Sequence, residues 1–462
     1  MRLAAAIAAL LVAAGLLLRF APRAETSGEA TIRRALRART GTIELPAGTI
    51  EILSEIEIPP GAHDLEIRGA ASGTTLRASD HFRGRAIFRC ECASRVRFAN
   101  FTIDGNRDVL ERASGLPGFS TTFARFTEGN GILAFQVASL EVTNIRFANV
   151  PGFAILVSCS RDIVIDGVAV RESGSRTSAG RNNTTGGILL EEGTRDFVVA
   201  HCDLRDVRGN GVWTHSLGTA PQNTNGRIIE NHFERLGRDA IQVGHGASIR
   251  VEENTGSEIG FPLDDVDMEH AATPVAIDTA GDTSHCVYAH NHFSEVNGKC
   301  LDLDGFHDGE VRRNSCVNHF GADHYPYGNL GIVFNNSHPA MRSEAIELVD
   351  NELDGVLFSG LFVIGEHHHI AHNHFRRLNL AHCDGKTAKF GCNYAPDQPG
   401  LLRSGIYLES RGERPAPARA NVIEDNEISG FGMSANCISA APGVSVAANT
   451  IARNACKDDP AQ

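Results

Sequence analysis

Apolar and polar residues along this chain alternate in short bursts bounded by turns. The stretch 298–310, GKCLDLDGFHDGE, shows the form. With a period of two, Leu301 and Leu303 point one way and Asp302 and Asp304 the other. The burst recurs within a larger frame, seen best at 230–244 (ENHFERLGRDAIQVG), 290–305 (HNHFSEVNGKCLDLDG) and 372–380 (HNHFRRLNL), with weaker copies at 200–215, 313–336, 350–365 and 425–439. Taking the first apolar residue of each apolar-x-apolar strand as a marker gives Ile132, Ile155, Ile188, Val212, Ile241, Val275, Leu301, Ile332, Leu361, Ile406 and Ile438. Their spacings of 23–45 residues, with short strands and no helical period between them, predict a solenoid with one coil per repeat. Asn231, Asn254, Asn291, Asn314, Asn351, Asn373, Asn426 and Asn449 hold one place in the frame and predict an internal amide ladder at a bend.

The marker frame also predicts what faces out. The first outward row runs Leu189, Trp213, Gln242, Ala276, Asp302, Val333, Phe362 and Tyr407; the second runs Glu191, His215, Gly244, Asp278, Asp304, Asn335, Ile364 and Glu409. Stacked coils lie about 4.8 Å apart, so Asp278 is expected beside Asp304, with Asn335 on the other side. Crowded carboxylates raise one another's pKa, which suits a general acid. Asp302 and Asp304, about 6.6–6.8 Å apart along a strand, fall near the spacing of inverting glycosidases; Asp278 with Asp304 falls nearer the retaining one. Asp278, Asp302 and Asp304 are therefore the candidate catalytic residues, with His307 just past the strand. Glu191, His215, Asn335 and Tyr407 are candidate substrate contacts, Trp213 a sugar-stacking platform, and Lys299 a holder for a uronate carboxylate. Insertions at 171–186, 260–274, 319–329 and 383–400 are expected to wall a cleft.

Residues 42–79 (TIELPAGTIEILSEIEIPPGAHDLEIRGAASGTTLRAS) and 96–106 (VRFANFTIDGN) resemble the first coils of the pectate-lyase-like superfamily of right-handed parallel β-helices. That resemblance covers about residues 40–455. It implies an all-β right-handed parallel β-helix solenoid of about 11–13 coils, closed by a short N-terminal capping helix within 28–39. Such helices host lyases, hydrolases, epimerases, esterases and inert fibres. His245, in VGHGAS, is similar to the Gly-His-Gly that polygalacturonases carry near their catalytic aspartates. The Asp-Asp pair expected one coil earlier is missing, and Asp239 in the same coil is all that stands there. Superfamily lyases hold Ca2+ with acidic residues and use Arg or Lys as base. Asp278, Asp302, Asp304 or the loop 263–270 (LDDVDMEH) would supply such ligands. No Arg or Lys stands beside the aspartates except Lys299, which favours hydrolysis. The reading is an exported glycoside hydrolase acting on a poly- or oligosaccharide. The alternatives are a calcium-dependent uronate lyase or epimerase, and a non-catalytic glycan-binding surface protein.

The composition narrows this further. A net charge of −13 over 462 residues argues against nucleic acid as a partner. The chain carries no phosphate loop, HExxH motif or Ser-His-Asp order, so no nucleotide or other cofactor is required, and Ca2+ is the one the acids suggest. His367 and His369, in EHHHIAHNHF, share a strand face and are candidate metal ligands. Residues 1–24, with Arg2 ahead of an apolar run at 3–18, are expected to be a signal peptide or N-terminal anchor. That leaves 25–462 as one β-helix domain, secreted or periplasmic. Of 11 Cys residues, Cys383 with Cys392 and Cys437 with Cys456 are candidate disulfides.

Overall fold

The computed structural model describes residues 26–459, apart from 112–116, 119, 177–181, 183, 267–272, 339, 388–390 and 412–413. The expected leader, residues 1–24, lies outside the described residues, as do residues 267–270 of the acidic loop. No described helix is long and apolar enough to cross a membrane.

Short strands pair in parallel, each with the strand one coil away, in three columns that continue from Gly41 to Asp458. In one early coil these are Phe153–Ser158, Arg161–Asp166 and Ala169–Arg171. Alternation fixes the faces. Inward residues such as Ile155, Ile163, Val170 and Phe233 are fully buried and fill the lumen. Ile56, Phe88, Ile132 and Ile155 stack in register in the first column, which continues through Ile188, Val212, Ile241, Ile277, Leu301, Ile332, Leu361, Ile406 and Ile438. One expected marker is corrected: Ile277, not Val275, pairs with Ile241 and Leu301.

The bend between the second and third columns is built the same way in coil after coil. A single non-glycine residue in the left-handed region, such as Glu230, Glu253, His290 or Arg313, turns the chain. That conformation costs about 1–2 kcal/mol. The next residue is an Asn whose side chain bonds both to the following coil and to the lumen backbone. Asn254 Nδ2 donates to Asn291 Oδ1 at 2.9 Å and to the Ile228 carbonyl at 2.9 Å. The ladder runs from Asn231 to Asn426 and ends on Asn454. Asn449, expected on it, instead accepts from Asn421 N at a different corner, where His368 N bonds Asn421.

At the N-terminal end the helix Ser27–Leu36 covers the open lumen. Thr26 caps it, Ile32 and Leu36 turn inward, and the buried Glu29 accepts from Leu53 N. Disulfides join Cys383 to Cys392 and Cys437 to Cys456, as the spacing suggested, and Cys300 to Cys316, which it did not.

Candidate functional site

The insertions 171–186, 260–274, 319–329 and 383–400, together with the crossing segment 105–129, all end where a first-column strand begins. They therefore gather along one edge of the helix. They also join one another: Arg176 pairs with Asp265 at 2.7 Å, and Arg208 with Glu111 at 2.8 Å. Residues 336–343 and 409–418 leave the opposite end of the same strands, and Arg414 donates to the Met341 carbonyl at 2.6 Å. Between these two walls lie the outward faces of the first column.

In the middle of that face the register places Gln242, Asp278, Asp302 and Val333 side by side on successive coils. This corrects the expected rows: Asp278 neighbours Asp302, and Ala280 is the partner of Asp304. Asp278 and Asp302 are 8% and 7% exposed. Gln242 Nε2 donates to Asp278 Oδ2, and Gln242 in turn accepts from Asn210 Nδ2 at 2.8 Å. Lys299 Nζ pairs with Asp302 Oδ2, while Asp302 Oδ1 is buried without a hydrogen-bond partner. Asp304, half-buried, accepts from Ser337 N at 2.7 Å and from its hydroxyl. A further carboxylate joins them from the corner: Asp239, 3% exposed, accepts from Val275 N at 3.0 Å and lies 3.7 Å from Arg238 Nε.

Three acids and one lysine withdrawn from water perturb each other. Burial, and then the charges of Asp239 and Asp302, hold the Asp278 pKa well above the ordinary carboxylate range. Burial raises Asp239 to about 6 against the pull of Arg238. Burial also raises Asp304, opposed by the Ser337 hydrogen bonds. For Lys299, burial works against the charged form, but Asp302, Asp278 and Asp239 overcome it and its pKa rises. The cluster therefore sets a carboxyl whose protonated form is favoured (Asp278) next to one that is ion-paired with a lysine (Asp302).

Other expected site residues lie elsewhere. Trp213 is not an open platform: it is 9% exposed and packs against Phe123, ring centroids 4.9 Å apart. Glu191 is fully buried and accepts from Phe123 N at 3.0 Å and Ala124 N at 2.7 Å, so no substrate reaches it. Burial raises its pKa to about 7. His215 lies against Phe123 and Trp213, and its pKa falls to about 4, through burial first and then the charge of His245. His245, left-handed at the bend after Gly244, thus neighbours His215 and Glu192. Tyr407 is buried beside Phe362, under the insertion that ends at Gly400. Asn335 is the partner of Asp304 and half-buried. His307 lies past the bend at Gly305. It is buried between Asp282 at 3.0 Å and Asp308 at 2.7 Å, with Arg342 at 3.3 Å. Asp265 is ion-paired to Arg176 and Arg208, which leaves it a structural acid. His367 stands near Glu344 and Glu366, while His369 pairs with Glu424.

Asp239, noted in the coil of His245, was not placed among the candidate site residues because it sits two residues before the marker. The signal was present: its place in the coil is that of Lys299, which pairs with Val275 across the intervening coil. A cavity of about 610 Å³ lies away from the aspartates, against Phe82, Phe126, Thr127, Asn130 and Ser175. Glu128 is the single carboxylate among its described lining residues. Volume alone cannot supply a proton donor and acceptor, so the aspartate slot is the candidate site.

The family model described as the right-handed β-helix region matches residues 86–262. The chain is a right-handed parallel β-helix protein. Among solved structures it is similar to a tailspike protein mutant of E. coli bacteriophage HK620 in complex with pentasaccharide (TM-score 0.55, 10% identity, 94% of this chain and 75% of that one). It is also similar to PfbA, a surface adhesin of Streptococcus pneumoniae (0.53, 10%, 86% of each chain). A third is DFA-IIIase from Arthrobacter chlorophenolicus A6 in complex with GF2 (0.52, 14%, 96% of each). At these identities the likeness is one of fold. No curated protein matches the chain by sequence.

Proposed function

We propose that the chain is an exported carbohydrate-active enzyme, a glycoside hydrolase that acts on a poly- or oligosaccharide in the slot over Asp278 and Asp302. The observation that carries this reading is the placement of those two carboxyls on adjacent coils in different surroundings, Asp278 withdrawn from water and Asp302 ion-paired with Lys299. Asp278, held neutral by burial, is the general acid for the leaving oxygen. Asp302, ion-paired with Lys299 and with Oδ1 unpartnered, is the base or nucleophile. Adjacent coils are about 4.8 Å apart, close to the carboxyl separation of about 5–5.5 Å in retaining enzymes. Retention is therefore the expected outcome, a change from the slight lean to inversion that Asp302 with Asp304 suggested. Asp239 and Asp304 set the field around the pair. Three disulfides and the apolar run at 3–18 support an oxidising, exported setting. One of the proteins that share the fold is in complex with a pentasaccharide, which makes glycans the first substrates to test.

Lys299 beside Asp302 supports a second reading, β-elimination of a uronate, in which a cation meets the substrate carboxylate. One assay separates the two. A polysaccharide panel is scored for new reducing ends and for unsaturated uronate absorbance, with Asp278→Asn and Asp302→Asn alongside. Reducing ends without unsaturation, lost in both variants, are expected. Unsaturated products point to the lyase. Glycan binding with no turnover by the unaltered protein points to a binding protein and overturns the proposal.

A further inference from the structure

Outside the aspartate slot, a second group of charged side chains is withdrawn from water, and its chemistry differs. Glu191 and His215 are cross-strand partners on adjacent coils, and Glu192 follows Glu191 at a left-handed bend. One donor atom from each of Glu191, Glu192 and His215 lies within 4.8 Å of the others. Glu191 is fully buried and Glu192 is 8% exposed. In the aspartate slot a lysine offsets the charge. Here, among the described residues, no Lys or Arg comes within ion-pair distance of either glutamate. Burying two adjacent carboxylates without a cation costs several kcal/mol for each ion by effective estimates. Neutral donors answer only part of that: Phe123 N, Ala124 N and the Ser158 hydroxyl bond Glu191, and Leu217 N bonds Glu192 Oε1 at 2.9 Å.

The imidazole is the independent observation. His215 Nδ1 is inaccessible to solvent and has no hydrogen-bond partner, in a pocket walled by Phe123 and Trp213. A buried ring nitrogen without a partner is costly, and the same imidazole brings a ring nitrogen within 4.8 Å of a donor atom of each glutamate. We propose that Glu191, Glu192 and His215 bind a divalent cation of the zinc class. One imidazole with two carboxylates suits zinc; calcium takes oxygen ligands and would leave the imidazole unused. Bonds of about 2.0–2.2 Å require the donors to close to roughly 3–4 Å of one another, which side-chain rotation supplies. The ion would clip the crossing segment at Phe123 onto two coils. This inference does not rest on the reading of the aspartate slot.

Calorimetric titration of chelator-treated, dialysed full chain with ZnCl2, and separately with CaCl2, tests it. One zinc per chain, with a rise in melting temperature that saturates at that ratio, is expected, and no comparable effect of calcium. His215→Gln and Glu192→Gln should each weaken zinc binding at least tenfold while the metal-free melting temperature stays near that of the unaltered protein. His367→Gln, at the exposed histidine cluster, should leave it unchanged. Absence of zinc-dependent heat or melting shift in the unaltered protein overturns the proposal, as does zinc binding that survives both His215→Gln and Glu192→Gln.

Discussion

Two stretches of the same outward face behave differently. Along Leu133, Leu156, Leu189 and Trp213 the face is apolar, and the segment around Phe123 and Ala124 packs onto it as a separate small core. From the very next coil, Gln242 and then Asp278 and Asp302, the same column of the same sheet carries an amide and two acids. These are nearly as buried, yet they are held by hydrogen bonds and one lysine instead of by packing. Identical backbone geometry thus supports a covered stretch that gains stability from burial and an acidic stretch that gives stability up. Strained, charged groups concentrated where folding gains nothing from them are the mark of a site.

The sharpest way to break this contrast is Asp278→Asn or Asp302→Asn. Each should lower turnover by about 10²–10⁴-fold, the usual worth of a positioned acid or base. Stability to urea should change little in Asp278→Asn, whose carboxyl burial already favours as neutral, and fall in Asp302→Asn, which leaves the buried Lys299 without its ion-pair partner. A loss of folding with activity retained would place these residues in the scaffold. Next in size is Lys299→Met, which leaves Asp302 charged and alone; about 3–5 kcal/mol of stability should go. Adding Asp302→Asn to that variant should restore most of it, and a cycle showing no coupling would dissolve the pair. In the covered stretch Leu189→Ala should cost about 2–5 kcal/mol with the catalytic constants of the folded fraction intact.

How much of this the sequence carried follows from what a period of two can and cannot specify. Markers other than Val275 fell in register because one buried face forbids a slip of one residue. It does not forbid a slip of two. In Val275–Ser284 the sequence offers apolar Val275 and Ile277 two residues apart, and both are buried, so alternation alone could not choose between them. The two-residue error moved Asp278 from the row of Asp302 to that of Asp304. The Asn ladder strayed in a similar way at its last rung, where Asn449 and Asn454 stand five residues apart at two different corners. Trp213 was misread for another reason. Its cover comes from Phe123, ninety positions earlier, and no local pattern announces a segment that folds back over the sheet.

The smallest effect is also the most specific, because it compares titration in the slot with packing beside it. A buried carboxyl whose pKa is raised keeps its proton in the native state over a window in which the unfolded chain has lost it. The native state then binds more protons, and stability falls as pH rises through that window. For Asp239 the window runs from the ordinary value of 3.8 to about 6, and Asp278, also raised by burial, adds a slope of the same sign. Urea denaturation should therefore show greater stability at a pH near 4.5 than near 7, with Asp239 contributing on the order of 1–3 kcal/mol. Glu191, raised to about 7, adds a slope of the same sign, so the informative quantity is the difference between variants. Asp239→Asn should flatten the profile, whereas Leu189→Ala should shift it down without changing its slope. If both variants keep the unaltered slope, Asp239 is not charged and uncharged in the way its burial demands, and the slot loses the coupling that sets Asp278 apart as the acid.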